Sequence, residues 1–224
     1  MRWAFLAFGG AVAYLLAVTF DLPPLRMLCK PLPVLALLFW VLSTPADAYR
    51  RWIATGLVLS MLGDILLEWP LNAFVPGLAA FLLAHLAYLL AYLADTRRLA
   101  PTGLLFAGLI GGGLFALLYS RGLGPLLLPI ALYSLTISCM LWRALARLGR
   151  NDLPAASRNL AAVGALLFVS SDAMIGISRF VGAFDGSSYA IMLTYWLGQF
   201  GIAASVTSRH LALPYSSGQP TTRV

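Results

Sequence analysis

Eight apolar runs separated by short polar breaks take up most of the chain. They cover roughly residues 3–20, 31–44, 52–68, 74–94, 102–119, 125–146, 160–180 and 188–209. About 20 apolar residues in a helix suffice to cross a hydrocarbon core about 30 Å thick. The expected fold class is therefore all-α: a polytopic membrane bundle of about eight transmembrane helices. The second run falls short of that length and is expected to be tilted or partly interfacial. The breaks carry turn chemistry, among them Asp21-Leu22-Pro23-Pro24, Thr44-Pro45-Ala46-Asp47 and Asp185-Gly186-Ser187. No linker is long enough to divide two domains. Residues 1–209 are read as one transmembrane domain and 210–224 as a polar cytoplasmic tail.

Composition agrees with this solvent. The 224 residues are 61% hydrophobic and 10% charged, whereas soluble domains carry about 25% charged residues. An ordinary soluble globule, a disordered chain and a sizeable extramembrane domain are excluded. The net charge of +7 comes from fourteen arginines and one lysine in short clusters between the runs. That is the pattern of topology-setting loop charges, not of a nucleic-acid surface. Cys29 and Cys139 lie far apart in apolar surroundings and read as buried hydrophobes without a disulfide. Arg2 and the run after it resemble a signal peptide, but no small-x-small cleavage site follows, so a retained first helix is expected.

The basic residues sort by side. Eleven fall at the breaks on the side of the N-terminus: Arg2, Arg50, Arg51, Arg97, Arg98, Arg143, Arg147, Arg150, Arg158, Arg209 and Arg223. Four fall on the other side: Arg26, Lys30, Arg121 and Arg179. By the positive-inside rule both termini are cytoplasmic, in the inner (plasma) membrane if the host is a bacterium. A faint internal repeat accompanies the eight runs. Gly56 precedes Asp64 by eight residues, and Gly164 precedes Asp172 by eight. A four-plus-four duplication with parallel halves would produce this.

Ionisable residues inside lipid are costly and usually face the bundle interior or a water-filled cavity. This chain offers Asp64 and Glu68 in the third run, His85 in the fourth and Asp172 in the seventh. Asp64 and Asp172 each lie 12 residues from the cytoplasmic start of their runs, about 18 Å deep. His85 and Gln199 lie about 14–15 Å from the cytoplasmic side, with Tyr88 and Tyr195 within about a turn. Lys30, Glu68 and Arg179 map near the non-cytoplasmic ends. The expected picture is a polar pocket in the outer half with charges around its mouth. Each residue also has a plain structural reading. A lone aspartate or histidine can be helix glue, and Lys30 can be a snorkelling anchor as well as a phosphate contact. Gly111-Gly112-Gly113 is read as close helix packing, since no phosphate-loop GK[ST] follows.

Four motifs fall in order along the chain: Lys30-Pro31-Leu32, Ser60-Met61-Leu62-Gly63-Asp64, Phe81-Leu82-Leu83-Ala84-His85-Leu86-Ala87-Tyr88, and Gly164 through Ser170-Ser171-Asp172. Their order and spacing resemble the YhhN-like lysoplasmalogenase family of integral membrane proteins, over roughly residues 28–205. The resemblance implies hydrolysis of the vinyl ether bond of a lysoplasmalogen to a fatty aldehyde and a glycerophospho head group. It implies acidic positions at Asp64 and Asp172, with Lys30, His85 and Tyr88 accompanying them. The eighth run, Tyr195-Trp196-Leu197-Gly198-Gln199, matches more loosely.

The residues suit that chemistry. Protonating the β-carbon of a vinyl ether gives an oxocarbenium ion, which water captures, and the hemiacetal collapses to aldehyde and alcohol. Two carboxyl groups in a low-dielectric pocket supply an acid, a base and negative charge. Asp64, Asp172 and His85 are the expected catalytic residues. Lys30, Tyr88, Glu68, Arg179, Tyr195 and Gln199 are the expected substrate contacts. No cofactor or metal is expected, and the expected partners are a lysophospholipid and the bilayer. A proton-coupled small-molecule or lipid transporter would use the same acidic residues. A metal-dependent lipid hydrolase would want three ligands, yet only His85 and His210 exist as histidines. A structural protein would use the polar residues as glue between helices.

Overall fold

The computed structural model describes residues 2–71 and 73–210. The tail expected after residue 210 lies outside the described residues. Nine α-helices lie within them, and there are no strands. They are α1 (Arg2–Thr19), α2 (Pro23–Cys29), α3 (Leu32–Leu42), α4 (Ala48–Leu67), α5 (Phe74–Asp95), α6 (Pro101–Tyr119), α7 (Leu127–Ala146), α8 (Ala155–Phe180) and α9 (Ser187–His210). Helices α2 and α3 together form one span, Pro23–Leu42, which gives eight spans in all. Six are long and apolar enough to cross a membrane by length and composition alone, and α1 and α4 complete the bundle.

The second span therefore begins earlier than its apolar run suggests. Pro23 and Pro24 occupy the first turn of α2, where a missing N–H costs nothing. The chain stays helical up to Lys30, whose N–H donates to the Arg26 carbonyl at 3.0 Å. The break comes at Pro31, which has no N–H to continue the ladder. Helix α4 also starts before its run. Asp47 caps it, accepting the Arg50 N–H at 2.6 Å, and so brings the arginine turn into the helix. Asp64 and Asp172 consequently stand 16 and 17 residues from the starts of α4 and α8, about 24 and 26 Å along their helices.

Packing repeats between the two halves, α1–α5 and α6–α9. In each half the last two helices, α4 with α5 and α8 with α9, form its most closely packed pair. Across the halves, α5 packs on α7 and α9 packs on α3, a reciprocal exchange. The two Gly residues of the sequence repeat sit at these inner contacts. A Cβ on Gly56 would lie 2.2 Å from the Tyr88 ring, and one on Gly164 would lie 2.6 Å from the Ile202 backbone nitrogen. The α8–α9 contact is thus backbone on backbone, the close approach small residues permit in lipid. In the Gly111–Gly113 run only Gly111 meets a neighbour, Ser138, while Gly112 and Gly113 have nothing within 4 Å. Arg147, expected as a loop charge, is fully buried and donates to Asp95.

Candidate functional site

The polar residues of the membrane interior form two clusters with an aromatic wall between them. The first is built on Asp172. Tyr133 of α7 donates its hydroxyl to Asp172 Oδ2 at 2.5 Å. His85 Nε2 of α5 stands 3.2 Å from the same oxygen, within ion-pair distance but without hydrogen-bond alignment. His85 Nδ1 lies 2.6 Å from the Phe81 carbonyl. A carbonyl only accepts, so Nδ1 carries a proton. A hydrogen bond between Nε2 and Oδ2 then requires a further proton, on the imidazole or on the carboxyl. The pair is a place where one transferable proton can be held. Catalytic contacts are often loose without substrate and tighten when it binds.

The second cluster is built on Asp64. Tyr195 of α9 donates to Asp64 Oδ2 at 2.7 Å. Tyr88 donates to Gln199 Oε1 at 2.7 Å and lies 3.4 Å from the Ser60 hydroxyl. Toward the helix ends, Glu68 Oε1 accepts from Lys30 Nζ and from the Tyr14 hydroxyl, each at 3.0 Å. Arg26 Nε adds an ion-pair contact to Glu68 at 3.5 Å. Lys30 is only 7% exposed, so it does not snorkel to the interface; it is spent on Glu68.

Phe168 stands between the clusters. Its ring centroid lies 4.6 Å from that of His85 and 5.4 Å from that of Tyr195. Phe81 packs edge-on against both Phe168 and Tyr195. No hydrogen bond joins the two carboxylates among the described residues. Each is met by one side chain from the other half, Tyr195 for Asp64 and His85 for Asp172.

A narrow apolar cavity of about 50 Å³ reaches the Asp172 cluster. Tyr133 and Asp172 are among the residues that line it. Its other walls include Leu67, Phe74, Leu118 and Phe180, all at the helix ends opposite the arginine-rich loops. Exposed Arg179 stacks over the Phe74 ring with its guanidinium carbon 4.9 Å from the centroid. Of the residues singled out in the sequence, the structure thus brings His85 to Asp172 and Tyr195 to Asp64. It gathers Tyr88 with Gln199 and Lys30 with Glu68, and leaves Arg179 at the cavity rim. Sequence reasoning missed Tyr133, Tyr14 and the contact of Arg26 with Glu68. A tyrosine inside an apolar run carries no signal of its own. Tyr133 could have been found by its depth, six residues from the start of α7 against eight for Asp172 from the end of α8, at the same end of the bundle. Among the described residues no group of three or more His, Cys, Asp or Glu gathers as a metal-ligand set.

The fold and site define a class: a multi-pass helical membrane protein with a carboxylate and a phenol lining an apolar cavity and an imidazole beside the carboxylate. The chain belongs to the YhhN family, whose profile matches residues 25–206. It is 39% identical to the lysoplasmalogenase TMEM86B of Homo sapiens over 178 residues, 79% of this chain and 72% of that protein. It is 35% identical to the lysoplasmalogenase TMEM86B of Sus scrofa over 202 residues, 89% of this chain and 84% of the other. It is 34% identical to a lysoplasmalogenase of Mycobacterium tuberculosis (strain CDC 1551 / Oshkosh) over 219 residues, 90% of this chain and 80% of the other. No solved structure matches the chain.

Proposed function

We propose that this protein is a lysoplasmalogenase, an ether-bond hydrolase that acts within the membrane. It cleaves the vinyl ether of a lysoplasmalogen to a fatty aldehyde and glycerophosphoethanolamine or glycerophosphocholine. The observation that carries the reading is the run of relatives named lysoplasmalogenase, 34–39% identical across 79–90% of this chain. The chemistry of the Asp172 cluster supports it. Both termini lie in the cytoplasm, following the excess of arginine at that end.

In this mechanism the proton held between His85 Nε2 and Asp172 Oδ2 passes to the β-carbon of the vinyl ether. The double-bond electrons form the new C–H bond, and the positive charge settles on the α-carbon and ether oxygen. The Asp172 carboxylate stabilises that oxocarbenium ion in a low-dielectric site. Water adds to the α-carbon and returns a proton to the His85–Asp172 pair. The hemiacetal then breaks its C–O bond to the glycerol, leaving aldehyde and alcohol. Tyr133 positions the carboxylate by donating to Oδ2. Asp64, held by Tyr195, lies behind the Phe168 wall and supplies the second negative charge. Tyr88 and Gln199 brace that side, and Lys30 with Glu68 fixes its outer end. Arg179 at the rim takes the lipid phosphate.

Mass spectrometry of purified protein incubated with alkenyl-lysophosphatidylethanolamine, beside the matched acyl-lysolipid, tests the reading. Aldehyde is expected from the first alone. The repeated halves are also an architecture of secondary carriers. Flux across proteoliposomes with no aldehyde formed would select a proton-coupled transporter.

A further inference from the structure

The two ends of the bundle differ in a way that the hydrolase reading does not require. At the arginine-rich end, Arg147 is 0% exposed. It lies between two tyrosine rings, 4.5 Å from the Tyr49 centroid and 5.8 Å from that of Tyr92. Its guanidinium donates to Asp95 Oδ2 at 2.9 Å, and to the carbonyl and hydroxyl of Ser157 at 3.2 and 3.1 Å. The other Asp95 oxygen accepts from Arg209 at 2.5 Å. Ser157 donates to the Ser205 carbonyl at 2.6 Å, and the Ser205 hydroxyl lies 2.7 Å from that of Tyr49. One continuous network therefore ties α4, α5, α8, α9 and the turn after α7. Burying charge in a dry interior is unfavourable unless the charge is paired, as Arg147 and Asp95 are. Above this plug Leu57, Tyr88, Phe168, Gln199 and Ile202 are all fully buried. The opposite end is built otherwise. There the cavity walls Leu67, Phe74 and Phe180 are only half-buried, and Arg179 is exposed beside them.

We propose that the Asp172 cavity is reached only from the face opposite the arginine-rich loops, so that the substrate is a single-chain phospholipid drawn from that leaflet. Its nature as a lysolipid rests on the hydrolase reading; its sidedness rests on the plug and the cavity. The head group stays at the rim, where the Arg179 guanidinium on Phe74 is the recognition element for the phosphate. The apolar part of the molecule enters the helix bundle. With both termini cytoplasmic, this leaflet is the non-cytoplasmic one.

Sealed membrane vesicles of the two orientations test this. Alkenyl-lysophosphatidylethanolamine is added from outside, and aldehyde is followed over minutes. Vesicles exposing the face opposite the arginines are expected to be at least tenfold faster than inverted ones, with detergent equalising the two. Equal rates in sealed vesicles, or faster turnover in inverted ones, would overturn the proposal. A second arm needs no activity. Ser134, which lines the cavity, is changed to Cys in a chain carrying Cys29→Ala and Cys139→Ala. A membrane-impermeant maleimide is expected to label it only from the face opposite the arginines. Labelling from the arginine side, or from neither side, would overturn the proposed access. Absence of aldehyde even in detergent would strike the hydrolase reading, while the labelling still decides which face is open.

Discussion

Asp64 and Asp172 hold matching places in the two halves, and their surroundings have parted. Each is met by a side chain from the fourth span of the opposite half, Tyr195 for Asp64 and His85 for Asp172. Around Asp64 the space toward the helix ends is filled by Tyr14, Lys30 and Glu68, with Trp196 edge-on to Tyr14. Around Asp172 the corresponding space is an apolar cavity. A repeated packing frame thus holds two buried acids at matching positions, and the packing around each decides which lies beside open space. In the proposed mechanism the filled half is the support and the open half the reactor.

Substitutions that treat the halves alike should separate them. Asp172→Asn is expected to lower aldehyde release by on the order of 10³, the middle of the range for a positioned acid or base. Asp64→Asn is expected to lower it by on the order of 10², since it acts from behind Phe168. Both rates are read on purified variants with unchanged melting temperature, and the reverse order would break the comparison. Tyr133→Phe removes a donor to the reacting carboxylate and should lower kcat by about 10- to 100-fold, the scale of a hydrogen bond to a charged group. Tyr195→Phe should cost less than about tenfold on the same assay.

Filling the cavity probes the same asymmetry by shape. Gly176 lines it, and a Cβ there would lie 3.1 Å from Leu118 Cδ1. Gly176→Leu is expected to raise KM for long alkenyl chains more than for short ones. Gly108→Leu on the open face of α6, where nothing lies within 4 Å, should leave the kinetics alone. The smallest contrast concerns stability. Gly164→Ala forces the backbones of α8 and α9 apart and should cost about 1–3 kcal/mol, as overpacking does. That corresponds to a fall in melting temperature of about 2–4 °C for each kcal/mol. Gly112→Ala, with open space around it, should not destabilise the protein.

The spans and the shared level of the two acids were legible because they follow from translation along a helix, which hydropathy and residue counting report, although the helices begin earlier than their apolar runs and set both acids 16 and 17 residues in. The Gly-to-Asp spacing in each half also pointed to the repeat that packing displays. What the sequence left open was rotation. Whether His85 faces Asp64 or Asp172 depends on how α5 turns against α8, which residue counting along the chain does not report. Tyr133 was hidden for the same reason. Arg147 was misplaced because a basic residue at a break reads as a solvated charge, until the fold brings Asp95 and two tyrosine rings around it. The early start of the second span was masked by Pro23-Pro24, which read as a stop and in fact opens a helix.

The most direct test of the account measures fatty aldehyde from alkenyl-lysophosphatidylethanolamine with the wild-type protein and the Asp172→Asn variant side by side in one detergent. The account predicts aldehyde from the wild type, none from the acyl-lysolipid, and a trace at most from a variant that still melts at the wild-type temperature. Aldehyde released by the variant at the wild-type rate would contradict it, because the reaction would then not run on the acid that lines the cavity.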